Sequence, residues 1–169
     1  MPLFIKRPFT IGELMSIDYG RQERAQYCTV ELEKTYHQLQ TETLVDKIRS
    51  FFTGKAHLLG YYLILKLKVT SPGKEPKTVF IKINPDFDLD KWENNRIKIY
   101  CDCPDFKYRS AYILNERKSL FLNDKVKNEL GSSLTDPPKK GAKTSLLCKH
   151  AFAAVQWLVS NYPSIMRSV

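Results

Sequence analysis

The sequence predicts an α+β fold in which an antiparallel sheet packs against helices. Two runs with alternating apolar residues, joined by a turn, indicate a pair of antiparallel strands. Near the C-terminus, apolar residues recur at helical spacing and indicate a final helix. A Cys-x-Cys pair ends one predicted strand and a Cys-x-His pair begins this helix, so a metal site is expected to join them.

The chain is expected to form one domain with an N-terminal arm. Its 169 residues, 43% of them hydrophobic and 27% charged, have the length and composition of a single globular domain. Pro2 and Pro8 oppose helix formation, so residues 1–20 are predicted to be an extended arm, although Thr10 and Glu13 could form a capping box. Residues 21–169 are predicted to form the α+β domain.

Two segments with helical features follow the arm. Over residues 22–40, apolar side chains at helical separations predict a helix, and a strand is the alternative because Thr29 and Val30 are β-branched. A second helix is predicted to begin at Thr41 or Thr43 and to end at Gly54.

Three strands are predicted in the centre of the chain. Residues 61–70 and 78–83 alternate between apolar and polar types and are expected to form a hairpin around the turn at 71–74. A third run, 96–101, places Ile97, Ile99 and Cys101 on one face. The strand would therefore deliver the first cysteine pair.

The remainder of the chain alternates between helical and loop-like composition. Residues 105–122 are an aromatic and basic run that is predicted to be a helix or an irregular hook, and residues 123–147 are predicted to be an exposed loop. The final helix is expected to end near Pro163. Its apolar residues are Ala151, Ala154, Val155, Leu158 and Val159.

The charge balance favours an acidic partner or a basic surface. The chain has 27 Lys and Arg against 18 Asp and Glu, which gives a net charge of +9. Much of the excess lies in residues 104–150. In this segment aromatic residues alternate with the possible nucleic-acid contacts Lys107, Arg109, Arg117 and Lys118.

Three of the four cysteines are grouped with a histidine at a spacing that suits a metal. Three thiolates and one imidazole form a donor set that suits tetrahedral zinc. The alternatives are ordinary buried cysteines, or a disulfide between Cys148 and one cysteine of the first pair. The predicted Zn²⁺ ligands are Cys101, Cys103, Cys148 and His150.

A structural zinc would outweigh the cost of joining the two pairs. Closing a loop of about 46 residues costs on the order of 4 kcal/mol of chain entropy. Structural zinc supplies about 10–16 kcal/mol of apparent binding free energy. Four protein ligands leave no open position for water, so the site is expected to be non-catalytic.

Other function classes have no motif in the sequence. There is no P-loop, no dinucleotide fingerprint, no GxSxG and no HExxH pattern, so we expect neither an enzyme nor a small-molecule substrate. The chain has no apolar run that predicts a membrane span or a secretion signal.

The segments CDCPDFKYRSAY and LLCKHAFAAVQWL resemble the two halves of a SWIM-type zinc finger, over residues 97–160. This resemblance implies a zinc-stapled strand-strand-helix finger in which the same four residues bind the metal. The spacer of 44 residues between the pairs is longer than is usual in that family.

A narrower resemblance links the chain to structural proteins of tailed bacteriophages. The sequence motif is similar to one found in proteins of the neck, tail or baseplate, and the similarity rests on Pro104-Asp105-Phe106, Tyr108-Arg109 and Lys149. The resemblance implies a virion protein, assembled in the host cytoplasm, whose partners are other virion structural proteins and copies of itself. Phe4, Ile5 and Phe9 of the arm are then the expected partner contacts, and packing on the chain's own core is the alternative.

A nucleic-acid-binding module is the second function that the sequence allows. SWIM-type fingers also occur in chromatin-linked and transposase-like proteins, and the basic and aromatic segment suits phosphate contact with stacking. Nothing in the chain reads base edges, so only weak, sequence-independent binding is expected.

Overall fold

The computed structural model describes residues 7–39, 61–138 and 146–168 of the chain. Four strands and six α-helices lie in these ranges and confirm the predicted α+β class. The elements are α1 (Ile11–Leu14), α2 (Tyr19–Ala25), β1 (Thr29–Leu39), β2 (Tyr61–Thr70), β3 (Lys77–Ile83), β4 (Ile97–Cys101), α3 (Pro104–Arg109), α4 (Ala111–Glu116), α5 (Asp124–Leu130) and α6 (Lys149–Ser168). The predicted helix that ends at Gly54 lies outside the described residues, as do Phe4 and Ile5.

The sheet is antiparallel throughout and follows the chain order β1-β2-β3-β4. The predicted β2-β3 hairpin and the third strand, β4, are confirmed. Leu65, Ile81 and Ile99 lie side by side on adjacent strands, and none of the three is exposed to solvent. This row forms the centre of the core, because the alternating apolar residues of each strand face the same side of the sheet.

The segment 22–40 follows the strand alternative over most of its length. Helix α2 ends at Ala25, and β1 pairs with β2 from Thr29 onward. The pairing register shifts between Leu32 and Lys34. The shift moves the core-facing positions of β1 from Leu32, opposite Leu67, to Thr35, opposite Leu65, so no single period of two runs through the strand.

Residues 7–20 are not an extended arm, which corrects the prediction for this part of the chain. Thr10 and Glu13 form the capping box of α1, and Ile11 and Leu14 are fully buried. Phe9 is only 7% exposed and belongs to the chain's own core, so its expected role in partner binding is also corrected. The Arg117 guanidinium lies 4.0 Å from the centre of the Phe9 ring.

The segment after β4 contains more regular structure than the sequence predicts. Residues 105–122 include two short helices, α3 and α4, and part of the expected loop 123–147 is helix α5. Asn123 caps α5, because its Oδ1 accepts a hydrogen bond from the Val126 N–H at 2.8 Å. Val126 and Leu130 are buried, and this apolar pair holds α5 on the domain.

Helix α6 packs against the sheet and supplies much of the remaining core. It continues through Pro163 to Ser168, five residues beyond the expected end. Ile165 is only 4% exposed, and its burial favours the helical continuation. No described helix has an apolar stretch long enough to cross a lipid bilayer.

Candidate metal centre

The fold brings the four predicted ligands together at one end of the sheet. Their donor atoms all lie within 4.8 Å of one another, and all four residues are buried. We call this group the Cys3His cluster: Cys101, Cys103, Cys148 and His150. Such a cluster can hold a metal ion at its centre.

A strand-to-helix turn positions the first two thiols. Cys101 is the last residue of β4, and Cys103 is the N-cap of α3. Asp102, between them, is tied twice to Thr78 of β3. Its Oδ1 accepts from the Thr78 N–H at 2.9 Å, and its own N–H donates to the Thr78 carbonyl at 3.1 Å. The turn is therefore fixed to the neighbouring strand.

Two of the thiols lie at the starts of helices. The Phe106 N–H donates to Cys103 Sγ, and the Ala151 N–H donates to Cys148 Sγ, each at 3.4 Å. Helix starts have free N–H groups and a partial positive charge, both of which stabilise a thiolate. Each of these N–H groups favours the thiolate, which is the form that binds a metal, over the neutral thiol.

The imidazole of His150 is oriented by one hydrogen bond and has one free nitrogen. Nε2 lies 3.0 Å from the Oγ of Ser71, which is buried just after β2. Nδ1 is also buried and has no hydrogen-bond partner within the described parts of the chain. A buried nitrogen without a partner is costly, and coordination of a metal would satisfy it.

Cys28 lies outside the Cys3His cluster but contacts Ser71, the hydrogen-bond partner of His150. Its Sγ is 3.5 Å from Ser71 Oγ, and the residue is half-buried. Ser71 therefore contacts both Cys28 and His150. Hydrogen-bonded residues of this kind around a metal ligand fix its tautomer and ring orientation.

The three clustered thiols differ in acidity because of their surroundings. Burial raises the pKa of Cys101 and of Cys148 well above the usual value. Hydrogen bonds from these two thiols lower the pKa of Cys103. A metal binds each sulfur as a thiolate, so a bound cation would displace the protons that burial favours on Cys101 and Cys148.

The alternatives that the sequence left open are less compatible with this geometry. All four cysteines are free thiols, so no disulfide links Cys148 to the first pair. Ordinary buried cysteines would not require a histidine with an unsatisfied nitrogen beside them.

Of the four predicted nucleic-acid contacts, Lys107 and Arg109 line one cleft beside α3, and Arg117 and Lys118 are not among its lining residues. Arg117 instead packs on Phe9, and its Nε donates to the Arg7 carbonyl at 2.6 Å. Lys118 has a positive φ of 55° in the turn after α4.

A basic cleft lies against the Cys3His cluster and was missed by the sequence analysis. Its cationic residues come from four separate parts of the chain, including Arg21 of α2 and Lys74 of the β2-β3 turn. Charge counted along segments could not find it, because folding brings these residues together. The signals in the sequence were the overall charge of +9 and the basic segment 104–150, which contains two cations of the cleft, Arg109 and Lys149.

Comparison of the chain with protein-family models, curated proteins and solved structures gives no match.

Proposed function

We propose that the Cys3His cluster binds one structural Zn²⁺ ion and that the protein is a non-enzymatic assembly protein. The observation that carries the metal proposal is the buried Nδ1 of His150, which has no hydrogen-bond partner among the described residues although its side chain belongs to the Cys3His cluster. If Nε2–H donates to Ser71 Oγ, the imidazole is the tautomer whose Nδ1 has a free lone pair, as a metal ligand requires.

The donor set favours zinc over harder cations. Thiolate and imidazole ligands suit zinc, whereas calcium and magnesium prefer oxygen ligands. The four donors complete a tetrahedral shell, so no position remains for a reacting water. A structural role follows from this closed shell.

The ion would hold three parts of the fold together. Cys101 and Cys103 belong to the end of β4 and the start of α3, while Cys148 and His150 lie at the start of α6. A zinc ion would thus fix the long C-terminal helix to the edge of the sheet.

A role in a virion's neck, tail or baseplate rests on the resemblance of the short CDCPDFKYR and LLCKH segments to tailed-phage structural proteins, which the comparisons with known proteins do not extend. Tyr19, the first residue of α2, is 77% exposed, and Tyr27, two residues after the end of α2, is 61% exposed. Exposed tyrosines are typical of protein interfaces, so this surface suits contacts with other virion proteins or with copies of the chain.

A metal-exchange experiment tests the structural zinc. Protein stripped with a chelator under reducing conditions should melt at a lower temperature, and one equivalent of Zn²⁺ should restore the melt where Mg²⁺ does not. The Cys148→Ser variant should show no restoration. An unchanged melt after the metal is removed would contradict the structural role.

Particle composition tests the assembly role separately. Quantitative mass spectrometry of purified phage particles encoding this chain should find it at a fixed copy number. Recovery of the chain only from the particle-free fraction would refute the assembly role and leave the zinc proposal intact.

A further inference from the structure

The basic cleft has a volume of about 680 Å³ and is open to solvent on one side of the Cys3His cluster. Its charged lining comes from α2, the β2-β3 turn, β3, α3 and the first residue of α6. The cationic lining residues are Arg21, Arg24, Lys74, Lys77, Arg109 and Lys149. Among the described residues, the carboxylates that line the same cleft are those of Glu75 and Asp105.

The carboxylates do not neutralise these cations. Asp105 is shared, since it lies 3.4 Å from the Arg21 guanidinium and 3.2 Å from that of Arg109. Arg21 is also paired with Asp18. The four other cationic residues, Arg24, Lys74, Lys77 and Lys149, form no ion pair with any residue that the structure describes.

The cleft is a built feature rather than a chance group of surface lysines. The side chain of Arg21 is 7% exposed and is held between two carboxylates. Cys103, Cys148 and His150 form the adjoining wall. Arg24 lies in the same helix as the buried Arg21, and Lys149 directly follows the buried Cys148, so these two cations are carried by backbone next to buried side chains.

A second cleft, of about 690 Å³, shares Arg109 with the basic cleft. Tyr108 and Tyr112 line it, and the ring of Tyr108 is 64% exposed. Lys107 Nζ lies 5.5 Å from the centre of that ring. The cationic residues Arg109 and Lys107 thus lie next to Tyr108, an exposed aromatic residue on which a planar group can stack.

We propose that the basic cleft binds the phosphodiester backbone of a single-stranded nucleic acid, with a base stacked on Tyr108. Four unpaired cations call for several successive negative charges, which a strand supplies and a single phosphate does not. The adjoining aromatic cleft favours a nucleic acid over an acidic peptide, because each base carries a stacking face. This proposal does not depend on the identity of the metal or on the virion role.

Fluorescence anisotropy with a labelled, mixed-sequence 20-nucleotide DNA strand tests the cleft. The variant Arg24→Gln/Lys74→Gln/Lys77→Gln should bind about tenfold more weakly or worse at 50 mM salt, and its log-log salt slope should be shallower by about 2. The matched control Lys91→Gln/Lys125→Gln/Arg167→Gln removes the same charge from exposed positions outside the cleft. It should stay within about twofold of the parent chain. Equal losses in the two variants would overturn the proposal in favour of diffuse attraction.

Two further arms of the assay identify the ligand. Tyr108→Ser should weaken strand binding about fivefold or more through lost stacking, and the metal content of this variant should be unchanged. Poly-glutamate and inorganic phosphate should compete poorly with the strand. Equal competition by poly-glutamate would assign the cleft to an acidic protein instead. Displacement of the strand by millimolar phosphate would assign it to a small phosphate ligand, and either result overturns the proposal.

Discussion

The imidazole of His150, one of the four proposed zinc ligands, is hydrogen-bonded to the hydroxyl group of Ser71. Ser71 Oγ lies 3.0 Å from Nε2 and is buried with it. If this bond fixes the tautomer, Nδ1 has its lone pair free for a metal. Ser71 would then be a positioning residue, which acts on a bound ion through the imidazole.

Replacing Ser71 with alanine should weaken zinc affinity about 10–100-fold, because the ring would lose its orienting partner. Competition with a chromophoric chelator measures this change. Saturated protein should still hold one zinc per chain.

Ser110→Ala provides the matched control. Its hydroxyl is also buried but has no hydrogen-bond partner among the described residues, so its loss should not change zinc affinity. If both serine variants bind zinc as the parent chain does, Ser71 has no positioning role.

Among the elements, α1 and the residue pair before it hold the N-terminal segment on the domain. The Phe9 N–H donates to Ser119 Oγ at 2.8 Å, and the Ile11 N–H donates to the Asn95 carbonyl at the same distance. These contacts, with the buried ring of Phe9, make residues 9–14 part of the core.

The variant Phe9→Ala should lower the free energy of unfolding by about 3–5 kcal/mol, since it leaves a cavity in the core. Chemical denaturation measures the loss. Tyr19→Ala, at an exposed aromatic position, should change stability by about 0.5 kcal/mol or less. Similar values for the two variants would contradict the burial of Phe9.

The capping box of α1 should make a small, pH-dependent contribution to stability. The Thr10 N–H, which donates to Glu13 Oε2 at 3.1 Å, and the Arg7 guanidinium lower the pKa of Glu13 below its usual 4.5. Its stabilisation is therefore complete above pH 4.5 and is lost as the pH falls through the lower folded pKa.

The difference in stability between the parent chain and Glu13→Gln should thus shrink below pH 4.5, as measured by denaturation at several pH values. The difference should be below about 1 kcal/mol at neutral pH, because the carboxylate is partly exposed. A difference that grows on acidification would contradict the capping role of Glu13.

The sequence predicts local elements well and long-range contributions poorly. Buried residues alternate without a break in β2 and β3, and β4 departs from this pattern only at the buried Tyr100, so these strands could be predicted. The register shift in β1 instead hides its period. The two ligand pairs could be found because each is local in the chain. Ser71 could not be assigned to the cluster, since its contact with His150 spans 79 residues.

At the scale of the whole molecule, the Cys3His cluster lies where the sheet, α3 and α6 meet. The four-stranded sheet and the buried side of α6 form one core, and the cluster closes its end. The basic cleft lies beside the cluster, and Cys103, Cys148 and His150 line it. The proposed metal site and the proposed nucleic-acid-binding surface therefore share these three residues. The claim on which the proposed function depends is that this cluster binds zinc through all four side chains.

X-ray absorption at the zinc edge, on protein purified without chelator under reducing conditions, tests that claim most directly. We expect one zinc per chain with three sulfur neighbours at about 2.3 Å and one nitrogen neighbour at about 2.0–2.1 Å. Protein without zinc, or zinc with a shell dominated by oxygen, would contradict it.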